Sequence, residues 1–466
     1  MTQHTSKPIP FSSTKSRQLV ADFSGGSITS DAGLLLLREA DRQIGLLDAL
    51  DAAIPDPRHP PLISHPQRTL LAQRVYGIAC GYEDLNDHQT LRDDPLWRVV
   101  SDHPGCERNP DASLASPPTL CRLENRVSRA SLIRMAGVLV DQFIASYETP
   151  PESLVLDFDA TDIPLHGEQE GRFFHGYYGH YCYLPLYVFC GYRLLTAYLR
   201  PSKIDGALHA GALLKLLVDR LRQAWPNVKI LFRGDSGFCR WRLLRWCDSH
   251  DVRYIVGLAR NKRIDGMIAE WVGQVATANA IDGRTHRVFG SFSYAAQMWD
   301  RQRRVIVKAE HLAGPDGGRP NPRCVVTNLA GDAQPIYEDV YCQRGDMENR
   351  IKDQQLGLFA DRTSCSDFLA NQFRLLLAAA AYVLVDHLRR EGLAGSEPDN
   401  AQATTIRTRL LKVGALVQRS VRRIAVRLSA AFPAKELFER VAAKLSGPRF
   451  ARGGPALPAA LAVDTS

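Results

Sequence analysis

Residues 153–162 read Ser-Leu-Val-Leu-Asp-Phe-Asp-Ala-Thr-Asp. Leu154, Leu156 and Phe158 recur at every second position, the period of a β-strand, and Val155, Asp157 and Asp159 fall on the opposite face. A strand that is apolar on one side and closes on carboxylates on the other packs against a core and delivers its acids at its C-terminal end. Spacing does not choose between Asp157 and Asp159. Asp159, nearer the strand end, is the preferred functional acid and Asp157 the alternative.

Outward from this run, Tyr181–Cys190 (YCYLPLYVFC) and Tyr192–Leu199 (YRLLTAYL) read as two further strands, and Ala207–Trp225 as an amphipathic helix. A strand at Lys229–Phe232, a helix at Cys239–His250, a strand at Tyr254–Leu258 and a helix at Asp265–Gln274 follow. The order βββαβαβα is that of a ribonuclease-H-like α/β core. Strand-like runs at Arg304–Ala309 and Arg323–Leu329, around the turn-rich Gly314–Pro322, predict a β insertion over 281–335. The last core helix then falls at Ile336–Gly357, and the core spans 151–280 and 336–390.

The first 150 residues read as mostly helical. Two short strands are expected over 18–29, then a helix capped by Ser30 or Asp31 and running to Leu50, and another over Gln67–Gly81. A third begins at Ser116 with Pro117 in its first turn and continues to about Tyr147. Arg122, Arg126 and Arg129 recur along it at helical spacing and are candidates to line a groove. A long apolar helix, Phe368–Leu388, a basic region over 391–446 and a tail from 447 to 466, expected to be disordered, complete the chain.

The composition fits a soluble globular protein, with 45% hydrophobic and 23% charged residues over 466 positions. The polar start of the chain offers no signal peptide, and Leu375–Val385, the longest apolar run, is shorter than the roughly 20 residues of a membrane span. A cytoplasmic protein without a membrane partner is expected. Ten cysteines without a CxxC pair predict reduced thiols and no zinc knuckle. The net charge of +8 is concentrated. Arg407, Arg409, Lys412, Arg419, Arg422, Arg423 and Arg427 share a segment without one acid, an arrangement suited to a polyanion.

Phosphodiester cleavage needs a strong nucleophile beside a dianionic transition state, and two Mg2+ ions held by clustered carboxylates meet both needs. Asp235 is the second acid that fits, placed by the two glycines of Arg233-Gly234-Asp235-Ser236-Gly237-Phe238 at the tip of the strand beside the first. The third is Glu348. On a regular helix Val340, Met347, Ile351 and Leu358 share the buried face, Glu348 borders it, and Asp346 and Asp353 point to water. Arg344, one turn earlier, can bind a phosphate oxygen or hold the carboxylate.

Together, D-x-T at Asp159 and Thr161, R-x-D-S-G-F at Arg233–Phe238 and Y-x2-R-x3-E at Tyr341, Arg344 and Glu348 resemble the insertion-sequence DDE transposases of the cut-and-paste, YREK-signature branch. The resemblance runs from about residue 18 to residue 430. It implies that Asp159, Asp235 and Glu348 bind two Mg2+ or Mn2+ ions, nick the ends of the element and activate the freed 3′-hydroxyl against target DNA. It further implies phosphate contacts from Tyr341, Arg344, Lys352 and Arg233, terminal inverted repeats bound by the N-terminal helices, and a homodimer in the DNA complex. Trp299, the single tryptophan of the insertion, is the candidate to stack on a flipped base. Arg122, Arg126, Arg422 and Arg423 are candidate DNA contacts. The signature lysine is Gln355 here, with Lys352 on the same helical face.

Three other functions compete. A DNA-binding regulator needs none of the three acids. A glycosyltransferase would use Asp157-Phe158-Asp159 as a DxD but leaves Asp235 and Glu348 without a role. A nuclease of the same fold shares the metal site and differs in its nucleophile.

Overall fold

The computed structural model describes residues 8–105, 112–397 and 400–447. The tail expected to be disordered lies, apart from residue 447, outside the described residues. The chain divides into two units. One takes the described residues before Leu132, Gly357–Phe359 and those from Ala380 onward; the other takes Leu132–Leu356 and Ala360–Ala379.

The second unit is organised by a mixed sheet of nine strands: β1 (Ser153–Ala160), β2 (Leu186–Cys190), β3 (Arg193–Tyr198), β4 (Lys229–Gly234), β5 (Val252–Leu258), β6 (His286–Tyr294), β7 (Arg303–Leu312), β8 (Arg323–Thr327) and the two-residue Arg319–Pro320. Their spatial order is β6-β7-β8-β5-β4-β1-β2-β3, and Arg319–Pro320 pairs with β7. β4 runs parallel to both β1 and β5, so β1 and β4 end side by side, with Phe158 opposite Gly234. All other pairs are antiparallel.

Alternation along the strands makes two different faces. Leu156, Phe158, Ile230, Phe232, Val252 and Tyr254 join Leu214, Leu217, Val218 and Leu221 of the helix Ala210–Ala224 in the larger core. The opposite face, carrying Asp157, Asp159, Arg233 and Ile255, lies under the helical stretch that begins at Ala333. There Ile255, Ile306 and Val325 pack against Ile336 and Tyr337. Burial at roughly 25 cal/mol per Å2 of apolar surface anchors that stretch to the sheet.

The segment expected as a β insertion continues the central sheet, since β8 pairs directly with β5. The backbone groups of β5 would otherwise form an open sheet edge, and the fully buried Val305, Ile306, Val325 and Val326 close it. The expected helix Ile336–Gly357 is also less regular than its sequence suggests. Ile336–Tyr341 and Asp353–Gly357 are π-helical, Cys342–Arg344 is a 3-10 turn and Gly345–Lys352 is α-helical. Each change of period rotates the residues that follow. Met347, Ile351 and Leu358 are buried as expected, Arg350 is buried as well, and Val340 is only half-buried.

The helix expected from Ser30 or Asp31 to Leu50 is two, Leu34–Ile44 and Leu46–Ala53, parted at Gly45 with φ 65°. Gly33 takes the cap position. The buried Asp31 carboxylate instead accepts from the Tyr82 hydroxyl, the Trp97 indole and the Lys412 ammonium at 3.0, 3.0 and 2.9 Å. Ser116 and Pro117 do open a helix, but it stops at Asn125 and a second runs over Arg129–Ala145. Phe368–Gly392, which contains the apolar run judged too short for a membrane, is long and apolar enough to cross one; 83% of its most apolar window is buried within the protein. The nine described cysteines are free thiols.

Candidate active site

β1 carries Asp157 and Asp159 on one face, and the structure gives them different partners. Asp157 has no exposed surface, and the Arg233 guanidinium grips it through Nε and Nη2 at 2.5 and 2.8 Å. The third nitrogen of the same guanidinium, Nη1, donates to the Val340 carbonyl. Arg233 therefore ties the helical stretch above the sheet to β1. A guanidinium 8% exposed and bonded through all three of its nitrogens is engaged within the protein, where a phosphate contact was expected of it. Of the two acids weighed at β1, Asp157 is thus the counterion of Arg233.

Asp159 reaches the strand end, 13% exposed, with Oδ1 accepting from the Ala160 amide at 2.9 Å. On the neighbouring parallel strand the chain turns at Gly234, and Asp235 caps the short turn Ser236–Phe238 by accepting from the Gly237 amide at 2.8 Å. Gly257 of β5 makes this arrangement possible. A Cβ there would stand 2.7 Å from the Ser236 amide nitrogen and 2.8 Å from the Tyr341 hydroxyl. Only glycine lets the Asp235 turn and Tyr341 close over β5.

Arg344 connects these strand ends to the helix. Its Nη1 lies 3.3 Å from Asp159 Oδ2 and its Nη2 donates to Glu348 Oε1 at 3.0 Å. Burial works against its charge, but Asp159, Tyr341, Glu348 and Asp235 together hold its pKa above the ordinary arginine value. Burial pushes Asp159 up to about 7, and the nearby charges of Asp235 and Glu348 add to the shift against the opposing pull of Arg344 and the Ala160 amide. Asp235 and Glu348 thus lie within electrostatic reach of Asp159, and all three acids within reach of the Arg344 guanidinium. Among the described residues, no three His, Cys, Asp or Glu side chains stand close enough to share one ion. The hard oxygen donors suit Mg2+ or Mn2+, and the positive group that touches two of them is Arg344.

The sequence of residues 11–449 matches the family model described as transposase DDE domain group 1. The chain belongs to the DDE transposase family. Its place is in DNA transposition. No curated protein matches its sequence. Among solved structures, it is similar to a piggyBac transposase in a synaptic complex with hairpin DNA, at 12% identity and a TM-score of 0.39 over 82% of this chain and 80% of that one. Residue roles do not transfer at that level of likeness.

The remaining residues expected to serve this DDE transposase fall into two groups. Lys352 and Arg122 are exposed, as are Arg422 and Arg423 at the tip of the hairpin formed by Ala415–Arg419 and Ile424–Leu428. Arg126 turns inward, donating to the Gln67 carboxamide at 2.6 Å and pairing with Asp56 at 3.4 Å, which removes it from the groove expected along its helix. Arg407 and Lys412, counted in the basic segment, are also internal. Arg407 donates to the carbonyls of Ile78, Ala79 and Gly357, satisfying the C-terminal end of the helix Gln67–Cys80, and Lys412 neutralises Asp31.

Gln355, in the place of the signature lysine, donates to the Asp162 carbonyl at 3.2 Å and so fixes the loop after β1. Trp299 is half-buried, edge-on to Tyr294 at 5.6 Å with the Arg303 guanidinium 5.5 Å over its ring. The ring is thus partly packed within the protein. Sequence reasoning missed the hairpin between β1 and β2, where His180 pairs with Asp162 at 2.7 Å and Tyr178 lies within electrostatic reach of Asp159. The density of rings in Phe173-Phe174-His175-Gly176-Tyr177-Tyr178-Gly179-His180-Tyr181 was the available signal.

Proposed function

We propose that this chain is the transposase of a bacterial insertion sequence of the YREK-signature branch, with a ribonuclease-H-like catalytic core in which Asp159, Asp235 and Glu348 hold two Mg2+ or Mn2+ ions. The observation that carries the proposal is the Arg344 bridge between Asp159 and Glu348 with Asp235 in electrostatic reach. The order β3-β2-β1-β4-β5, with β1, β4 and β5 parallel, supports the core assignment.

The ions supply a nucleophile at neutral pH and neutralise the charge that develops on the scissile phosphate. The chain's own residues do the positioning. Asp159 and Asp235 present their carboxylates at adjacent strand ends, and Glu348 closes the site from the helix. Asp159 and Glu348, which now pair with Arg344, would hold the cation, and Arg344, beside Tyr341 and Lys352, would serve a phosphate oxygen. Terminal inverted repeats are bound by the N-terminal helices, target DNA receives the freed 3′-hydroxyl, and two copies assemble on the paired ends in the cytoplasm. Arg122 and the Arg422–Arg423 hairpin tip add phosphate contacts that carry no sequence information.

The test is incubation of the purified protein with the DNA flanking its own gene and Mg2+. Excised and joined products are expected. Cleavage without joining would leave a nuclease, and binding without cleavage a regulator. The raised pKa of Asp159 adds a pH prediction. Below about 7 a proton competes with the cation for this carboxylate, so Mn2+ affinity measured by calorimetry should strengthen about fivefold from pH 6 to 7 and only about twofold more above it. An affinity independent of pH over that range would remove Asp159 from the donor set.

A further inference from the structure

The hairpin of Ala415–Arg419 and Ile424–Leu428 is anchored at its base and bare at its tip. At the base Ala415 and Leu416 pair with Thr29 and Ile28, the Val417 amide donates to the Ser27 carbonyl at 2.8 Å, and the side chains of Ala415 and Val417 are buried. Just before the first strand, the Val413 carbonyl accepts from the Ala32 amide at 2.9 Å. Among the described residues no third strand accompanies the ribbon beyond Val417, so residues 418–425 rest on their own cross-strand pairing. Arg427 Nε braces the ribbon by donating to Gln418 Oε1 at 2.7 Å. The Ser420 amide and hydroxyl both donate to the Arg423 carbonyl, at 2.8 and 3.1 Å, and close a tight turn with Val421 and Arg422 at its centre. Gly, Pro, Asn, Asp and Ser make such turns, each for a local reason. Ser420 has such a reason and Val421 has none. The valine is 104% exposed, so it supports neither the turn nor a core. One exposed apolar side chain is ordinary on a surface, but this one stands at the summit of a braced ribbon beside arginines.

Charge selects the partner. No acid occurs between Asp399 and Glu436, and the hairpin itself carries Arg419, Arg422, Arg423 and Arg427. Successive residues of a strand alternate between faces, and residues opposite one another share a face. With Arg419 opposite Ile424 and Leu416 opposite Arg427, Arg423 and Arg427 fall on one face and Arg419 on the other. Arg422 and Arg423 are exposed. Cations on both sides of a slender tip match the two phosphate backbones that border a groove of duplex DNA. The minor groove, about 6 Å wide, admits a turn where it excludes a helix. Its negative potential attracts arginine, and an apolar side chain pressed between base steps from that side unstacks them and kinks the duplex. Val421 has the chemistry of such a wedge, and a wedge of this kind acts on paired DNA.

We propose that the turn from Ser420 to Arg423 enters the minor groove of duplex DNA, where Val421 bends the helix at a flexible pyrimidine–purine step while the flanking arginines hold phosphates. The proposal rests on the reading of this chain as a DNA-binding transposase, and it adds a preference for deformable sequence to contacts that by themselves carry none. The experiment uses the full-length protein and the duplex flanking its gene, labelled at its two ends with a fluorescent donor and acceptor. It reads bending from energy transfer, and affinity over a series of salt concentrations. The wild type should bend the duplex by about 20° or more. Val421→Ala and Val421→Ser should remove most of the bend and leave the slope of log affinity against log salt unchanged, while Val421→Leu should keep the bend. Arg422→Ala and Arg423→Ala should each reduce that slope by about one. Because a mismatch lowers the cost of unstacking, scanning one along the duplex should find a position that restores the bend to Val421→Ala. Bending that survives both Val421→Ala and Val421→Ser, or wild-type binding without a bend, would overturn the wedge. Unchanged slopes in both arginine variants would take the turn off DNA and overturn the proposal as a whole. Altered self-association of Val421→Ala with an unaltered bend would assign the turn to a second copy, with the same consequence. Each of these results leaves the carboxylate-site proposal standing, whereas a wild type that binds no DNA at any salt concentration would take down the DNA reading itself.

Discussion

Alanine at Asp159, Asp235 or Glu348, introduced one at a time, is expected to lower Mg2+-dependent cleavage of end DNA by about 1,000-fold or more while binding of the same DNA changes only a few-fold. The size follows from the chemistry, since metal ions stabilise transition-state charge by several kcal/mol and each 1.36 kcal/mol is tenfold in rate. The three losses differ in their side effects. Without Asp159 or Glu348 the Arg344 guanidinium keeps one carboxylate partner of two, which leaves it freer to hold a phosphate, so DNA binding should strengthen slightly. Without Asp235 the amide of Gly237 loses its acceptor, and the turn after β4 loosens. Single-turnover cleavage with purified variants, alongside filter binding at fixed salt, separates the two quantities. Undiminished cleavage in any one variant removes that residue from the site.

Much of this arrangement is legible in the sequence because it follows from period and turn chemistry. The alternation in Ser153–Ala160, the glycines around Asp235 and the Tyr341-Arg344-Glu348 spacing each fix a side chain relative to its own element. What stays hidden depends on distant partners. Nothing near Arg233 in sequence says that it closes on Asp157 and the Val340 carbonyl, and nothing near Arg126, Arg407 or Lys412 says that their charges point inward. A count of basic residues therefore overstates the surface offered to DNA. Secondary structure misled where local rules compete. Gly45 divides a helix whose apolar pattern runs on unbroken, and the π-helical turns on both sides of Gly345–Lys352 shift a phase that a constant 100° per residue cannot follow. The pairing of β8 with β5 is a further case, since a run of valines announces a strand but not its neighbour.

The second large effect concerns the brace beneath the site. Asp157→Ala should destabilise the protein by about 3–5 kcal/mol, because it strands the buried Arg233 charge without its counterion. Arg233→Met should do the same from the other side. Burial already raises the Asp157 pKa against the pull of Arg233, so the free carboxylate would be still harder to keep ionised. The informative variant is the pair Asp157→Leu with Arg233→Met. Replacing both charges by apolar groups removes both desolvation penalties, and the urea midpoint should recover most of the loss of either single change. Cleavage should not recover with it. The bond from Arg233 to the Val340 carbonyl is still missing, and Val340 immediately precedes Tyr341, in the helical stretch that carries Arg344 and Glu348 toward the strand ends. A stable but inactive double variant, with unimpaired DNA binding and weakened Mn2+ affinity, would establish that the pair acts by placing Glu348. A double variant that cuts as well as the wild type would reduce Asp157 and Arg233 to packing.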